Sequence, residues 1–243
     1  MSTPTPHQRS SPPVAATPAE IVREYGPFEG AERIHGVTHD GTHVWAATGE
    51  RLLGIEPGSG SIARTLAVAC DAGSAFDGTW LYQVAEARID KIDPATGAVV
   101  ASIPAPGHGG DSGLAWAEGS LWVGQYRERR IHRIDPATGA VLRTIESNRF
   151  VTGVTWVDGE LWHGTLEGDE SELRHVDPDN GAVLERLAMP PGIGVSGLES
   201  DGGGLFYCGG GTSGKVRAVR RRSADDTAAT PGTGGDGGLA RSE

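Results

Sequence analysis

The sequence predicts an all-β fold: a five-bladed β-propeller closed by an N-terminal strand that completes the last blade. Three observations carry this. A segment recurs five times, opening at Gly36, Gly73, Gly113, Gly153 and Gly197, at spacings of 37, 40, 40 and 44 residues. A period near 40, with several short apolar runs and a Gly-rich turn in each copy, is the pattern of one four-stranded blade per repeat. Helical repeats of that length need amphipathic runs of about 12 residues, and none is present. Finally, the fifth copy lacks a fourth strand, because the chain turns polar after Arg222. Its missing pattern stands at the other end, where Glu20-Ile21-Val22-Arg23-Glu24-Tyr25 matches Ala140-Val141-Leu142-Arg143-Thr144-Ile145. Joining the two closes the ring and leaves no unpaired edge there.

Each copy divides into four strands, a to d. Strand a follows the marker glycine and carries His39, Phe76, Trp116 or Trp156 three residues on. Strand b carries Trp45, Tyr82, Trp122, Trp162 or Phe206. These rings are expected between blades, since large aromatics dominate core burial; Trp80, in an a–b turn, is expected partly exposed. Strand c runs into Glu56-Pro57, Asp93-Pro94, Asp135-Pro136 or Asp177-Pro178. There Pro presets φ, the carboxylate bonds the backbone ahead, and a later glycine supplies positive φ before strand d.

The 243 residues suit one propeller over residues 20–222. The flanks, 1–19 and 223–243, are rich in Pro, Ser, Thr, Gly and Asp, too polar to offset their ordering entropy, and are expected as disordered tails. A net charge of −11 argues against a phosphate-tracking nucleic-acid surface. The basic run Val216–Arg222 reads as a solvated strand end. Cys70 and Cys208 form no paired motif, so neither a disulfide framework nor a zinc knuckle is indicated. No apolar leader or long apolar run occurs, so no membrane partner is expected, and the expectation is a cytoplasmic monomer.

Two motifs resemble chemistry and are absorbed by the repeat. Gly110-Asp111-Ser112-Gly113 mimics a nucleophile loop, yet in register it equals Phe150-Val151-Thr152-Gly153 and Gly194-Val195-Ser196-Gly197. Gly209-Gly210-Gly211-Thr212-Ser213-Gly214-Lys215 approaches a phosphate-binding loop, but Val216 replaces the metal-binding hydroxyl and a strand follows instead of a helix. Its glycines still let a ligand approach backbone N–H groups. No metal motif is present, and no cofactor is expected.

Candidate site residues are sought where one copy departs from the others. Two residues past the marker glycine stand Thr38, Ala75, Ala115 and Thr155, then Glu199. After the strand b aromatic stand Ala46, Gln83, Val123, His163 and Tyr207, the last followed by Cys208. Glu199 and His163 are the candidate catalytic pair. Loops d–a and b–c open on one end of a propeller and bring His35, Asp71, Asp111 and Arg149 together with Glu86, Tyr126, Arg127 and Glu167. From these, His35, Gln83, Asp111, Tyr126, Arg149, Glu167 and Cys208 are the candidate ligand-binding residues, for a small molecule or a peptide end. The competing expectation pairs Glu199 with Arg149 or His163 for structure alone.

The run Ile34-His35-Gly36-Val37-Thr38-His39-Asp40-Gly41, then Val44-Trp45-Ala46-Ala47-Thr48-Gly49 and Leu81-Tyr82-Gln83, resembles the propeller-type glutaminyl cyclotransferases of bacteria and plants. So do Val154-Thr155-Trp156-Val157-Asp158-Gly159-Glu160-Leu161-Trp162 and the repeated Ile-Asp-Pro-Ala-Thr-Gly. The resemblance covers about residues 30–220. It implies cyclisation of N-terminal glutamine with loss of ammonia and without a catalytic metal, by a glutamate directly after the first blade's strand b aromatic. That position holds Ala46 here, and the asparagine implied near the start of the fourth copy is Thr152. Three functions therefore stand: an enzyme of altered chemistry in this class, a non-catalytic binding or interaction propeller, and a metal-dependent lyase or hydrolase. Asn148 and Asn180 are too few for a gluconolactonase-like calcium site, while His163 with Glu199 keeps a streptogramin-lyase-like arrangement open.

Overall fold

The computed structural model describes residues 14–221. Twenty-one strands form five sheets in a ring, and no helix occurs among the described residues. Two strands precede the first marker glycine, β1 (Thr17–Pro18) and β2 (Ile21–Tyr25). Blade 1 is β3 (Gly36–His39), β4 (Val44–Ala47), β5 (Leu52–Ile55) and β6 (Ile62–Leu66). Blade 2 is β7 (Ser74–Phe76), β8 (Leu81–Ala85), β9 (Arg88–Ile92) and β10 (Val99–Pro104). Blade 3 is β11 (Asp111–Ala117), β12 (Ser120–Gln125), β13 (Arg130–Ile134) and β14 (Val141–Glu146). Blade 4 is β15 (Phe150–Val157), β16 (Glu160–Glu167), β17 (Glu170–Val176) and β18 (Val183–Ala188). Blade 5 is β19 (Gly197–Ser200), β20 (Leu205–Gly209) and β21 (Val216–Arg220), with β2 as its outer strand.

The ring closes as the repeat pattern demands. β2 pairs antiparallel with β21, setting Ile21 against Val219 and Tyr25 against Val216. Of the stretch expected as an N-terminal tail, the described residues 14–19 make contacts with the ring. Thr17 and Pro18 pair in parallel with Leu187 and Ala188, extending blade 4, and the Arg186 guanidinium bonds the Val14 carbonyl at 2.8 Å. A parallel partner fits here because β18 is an outer edge with free backbone groups. Residues 1–13 and 222–243, most of the expected tails, lie outside the described residues.

The core consists of five apolar layers, one between each pair of neighbouring blades. Trp45, Leu52 and Leu66 of blade 1 meet Leu81 and Ile92 of blade 2, and Trp162 and Leu173 of blade 4 meet Leu198 and Phe206 of blade 5. The strand a ring of one blade stacks on the strand b ring of the preceding one: Tyr82 on Trp116, with centroids 5.5 Å apart, and Trp122 on Trp156, at 5.9 Å. The a–b turn carboxylates anchor the strand b tips. Asp40 accepts from Trp45 Nε1 at 2.7 Å, Asp77 from the Tyr82 hydroxyl at 3.0 Å, and Glu160 from Trp162 Nε1 at 2.8 Å. Trp80 is half-buried. The Asp-Pro turns close as expected, with the Gly139 N–H bonding the Asp135 carbonyl at 2.9 Å and Gly139 at φ +75°.

The marker glycines set the bore of the ring. A Cβ on Gly36 would stand 2.3 Å from the Ala72 carbonyl oxygen and 3.0 Å from Gly73 Cα. The same collision passes from Gly73 to Gly113, then to Gly153, to Gly197, and back to Gly36, each at 2.8 Å or less from the next backbone. Five backbones meet there at a separation only glycine permits. That is why each repeat begins on it.

Candidate functional site

Loops d–a and b–c open on one face around a cavity of about 890 Å³. Its floor is the residue before each marker glycine: His35, Ala72, Ser112, Thr152 and Ser196. Two floor hydroxyls tie neighbouring blades together. The Ser112 hydroxyl donates to the Val151 carbonyl at 2.7 Å, and the Ser196 hydroxyl donates to the Ile34 carbonyl at 2.5 Å. The equivalent Thr152 Oγ1 is buried and has no hydrogen-bond partner among the described residues. Beneath the floor the glycine ring narrows the axis.

Of the charged groups lining the cavity, Asp111 and Arg217 are buried, on blades 3 and 5, whereas Arg33, Asp71 and Asp169 are exposed at the rim. Both Asp111 oxygens accept the Gly107 N–H, at 3.0 and 2.9 Å. Burial nevertheless raises its pKa above the usual carboxylate range. Half-buried His35 has a lowered pKa, from burial and then from the Arg33 charge, although it bonds the Asp71 backbone. Tyr126, stacked on Phe150 at 4.7 Å, completes the blade 3 wall.

Sequence candidates divide accordingly. His35, Asp111 and Tyr126 line the cavity, together with Asp71. Gln83 does not: it is fully buried, donates to the Ala72, Gly73 and Val84 carbonyls at 2.8–3.2 Å, and accepts from the Ser74 hydroxyl. Arg149 does not line the cavity and pairs with Glu170 at 3.2 Å and the buried Glu172 at 3.5 Å, and Glu167 pairs with Arg129 at 3.2 Å. Cys208 belongs to the layer between blades 4 and 5, where burial pushes its thiol up to about 12. His163 is buried, bonds the Gly164 carbonyl at 3.2 Å, and is held neutral by burial with a pKa lowered to about 4. It lines a separate cavity of about 380 Å³ with Asn148 and Arg174.

Glu199 lies beyond the glycine ring, two residues along β19, and is not part of the mouth. Its carboxylate accepts from the Thr38 hydroxyl at 2.8 Å, the Thr155 hydroxyl at 2.5 Å and the Ser200 N–H at 2.9 Å. Among the described residues it makes no contact with His163, and neither Arg149 nor His163 reaches it as a counter-ion. Small residues at the equivalent position of the other four blades leave room for this one longer side chain. Burial without a cation raises its pKa from 4.5 to about 7, only partly offset by the hydroxyl and N–H donors. The folded state then holds this proton more tightly than the unfolded chain. The resulting stability is complete below about pH 4.5 and is lost as pH rises through about 7. Glu199→Gln should therefore nearly match the parent at pH 4.5 and exceed it at pH 8 by about 3 kcal/mol. Denaturant titrations at the two pH values check this, and a variant less stable at pH 8 would show that the charge is stabilised.

The motif readings resolve in the same geometry. Ser112 is a floor hydroxyl bonded to a carbonyl, and Gly209–Lys215 forms the β20–β21 hairpin, whose Gly210, Gly211, Thr212 and Ser213 line the cavity. Sequence reasoning missed Arg217, which it placed in a solvated strand end, although β21 is buried over Val216–Val219. Among the described residues, no three His, Cys, Asp or Glu side chains come together in a metal-ligand arrangement.

Fold and site together define a five-bladed propeller with a polar cavity at one mouth, over the ring of marker glycines. The fold is similar to that of Myxococcus xanthus glutaminyl cyclase, with a TM-score of 0.68 and 17% identity over 83% of this chain and 95% of that one. The WD40 β-propeller domain of Doa1 aligns with a TM-score of 0.51 and 16% identity over 79% of this chain and 64% of that one. A chain of the mitotic checkpoint complex aligns with a TM-score of 0.53 and 12% identity over 90% of this chain and all of that one, 100%. These likenesses are of fold. No protein-family model and no curated protein matches the sequence.

Proposed function

We propose that this chain is a ligand-binding propeller that takes a small polar molecule or a peptide end into the mouth cavity, on a scaffold like that of glutaminyl cyclase. The observation that supports it most is the cavity itself. About 890 Å³, floored by five equivalent positions, holds a buried carboxyl and a buried guanidinium on different blades. Buried charge of both signs around a concave space is a binding arrangement in search of a polar occupant.

Cyclisation of N-terminal glutamine needs a group that takes a proton from the α-amine and gives one to departing ammonia, worth about 10²–10⁴-fold. Ala46 cannot do this, and it is fully buried in the layer between blades 5 and 1. Ammonia release from glutaminyl dipeptides should stay at background, while the dipeptides still bind. Gly194→Leu should abolish that binding, because Gly194 lines the cavity and a side chain there projects into open space. Turnover of about 1–10³ s⁻¹ would overturn the non-catalytic reading, and binding undisturbed by Gly194→Leu would overturn the choice of cavity.

A further inference from the structure

We propose that the blade 5 wall of the cavity is an oxyanion site, in which the Arg217 guanidinium and the Gly210–Ser213 loop hold a carboxylate or phosphate group of the ligand. This rests on reading the mouth as the binding cavity and adds which chemical group enters it, and where.

Arg217 is 5% exposed and lines the cavity. Its Nε donates to Glu24 Oε1 at 2.6 Å, which fixes the plane of the guanidinium. Glu24 is shared, since Lys215 also bonds it at 2.7 Å, so Arg217 is not fully neutralised. Nη1 and Nη2 have no hydrogen-bond partner among the described residues, yet they are not among the buried unpaired atoms. A guanidinium with one edge anchored and the other turned to a cavity is set to receive two oxygens side by side.

The loop is shaped to this group. A Cβ on Gly210 would stand 2.4 Å from Arg217 Nη1 and 3.0 Å from the Lys215 carbonyl, so only glycine lets the guanidinium lie against the hairpin. The Gly210 and Gly211 N–H groups are already used, by the Lys215 carbonyl at 2.8 Å and the Ser196 hydroxyl at 2.9 Å. The Thr212 N–H makes no hydrogen bond among the described residues and, with the Thr212 hydroxyl, stands exposed at the cavity edge. The loop that resembles a phosphate-binding sequence thus borrows its positive charge from the following strand, where other such loops use a helix N-terminus. The unpartnered Thr152 Oγ1 lies on blade 4, between this wall and Asp111. Of the acids lining the mouth, Asp71 and Asp169 are exposed at the solvated rim, and Asp111 belongs to blade 3, two blades away.

Calorimetric titration at constant ionic strength tests this with three probes. These are inorganic phosphate, N-acetylglycylglycine (a carboxylate without an ammonium) and glycylglycinamide (an ammonium without a carboxylate). At least one oxyanion should bind better than the amide, and which one separates phosphate from carboxylate as the natural group. Arg217→Gln should weaken the preferred oxyanion roughly 10- to 100-fold and should not weaken glycylglycinamide, whose ammonium loses a like charge nearby. Arg217→Lys should fall between, because it keeps charge and loses the paired donors. Should Arg217→Gln not fold, Gly210→Ala displaces the guanidinium while keeping it, and the same weakening is expected. No oxyanion binding to the parent, or equal binding to parent and variants, overturns the proposal. Glycylglycinamide binding that Gly194→Leu abolishes, with oxyanions indifferent to Arg217, sinks this site while sparing the cavity. Binding of every probe unaffected by Gly194→Leu sinks both.

Discussion

Gly153→Ala should destabilise the ring by at least about 3 kcal/mol, the upper end of over-packing costs, and lower its melting temperature by roughly 6–12 °C. The added methyl would stand 2.5 Å from the Leu198 nitrogen and 2.6 Å from the Gly197 carbonyl carbon. These are backbone atoms of β19, and β19 is itself held against Gly36 by the same contact at Gly197. A side chain can rotate away from a clash, but a strand in a closed ring moves only by displacing its neighbours. The matched control is Gly194→Ala, at a glycine with open space at its Cβ and no positive φ, where no loss is expected. Thermal melts of the two variants decide it, and equal melting temperatures would remove the glycine ring as the determinant of the bore.

Removing residues 1–27 should abolish cooperative folding, whereas removing 1–18 should cost little. The shorter truncation loses the two-residue β1 from an outer edge. The longer one strips β2 from β21 and takes Tyr25, 5% exposed, out of the layer between blades 5 and 1. Emptying an aromatic site costs about 3–5 kcal/mol. Arg217 loses Glu24 at the same time, and a buried charge without its partner costs a further 3–5 kcal/mol by order of magnitude. The bared β21 edge should also drive association. Melts and size-exclusion profiles of both truncations test this; coincident melts would refute closure by β2.

The architecture was legible in the sequence because a propeller repeats its physics. The marker glycine is required five times for one steric reason, and the Asp-Pro turn and the strand b ring recur for local ones. The displaced fourth strand could be placed because a blade lacking its outer strand leaves an edge, and Ile21–Tyr25 alone had the pattern to cover it. The register that groups Ser112, Thr152 and Ser196 was visible too, although only the structure shows these positions lining the cavity. His35, Asp111 and Tyr126 could be placed on the face that carries the cavity because loops d–a and b–c must open on the same end.

The other candidates were drawn from strand b and from repeat-breaking residues, and there sequence alone misleads. A blade is packed on both faces, so the residue alternating with the core aromatic is as buried as the aromatic itself. That is why Gln83 and His163, each next to a strand b ring, are buried away from the mouth, while Cys208, two residues past Phe206 and on its face, joins it in the layer between blades 4 and 5. Glu199 breaks the repeat for a reason the chain cannot display: two residues past the glycine ring is already the far side of the seal, where Thr38 and Thr155 from flanking blades meet one carboxyl. Arg217 shows the converse. In sequence it belongs to a basic strand end, and only ring closure brings Glu24, 193 positions away, to hold one edge of its guanidinium while the other faces the cavity. Local spacing thus determined the blades, their turns and their order, since these obey short-range sterics and hydrogen bonding. Which charges became buried, paired or left facing the cavity was decided by tertiary structure, because burial and pairing depend on blades that meet only when the ring is closed.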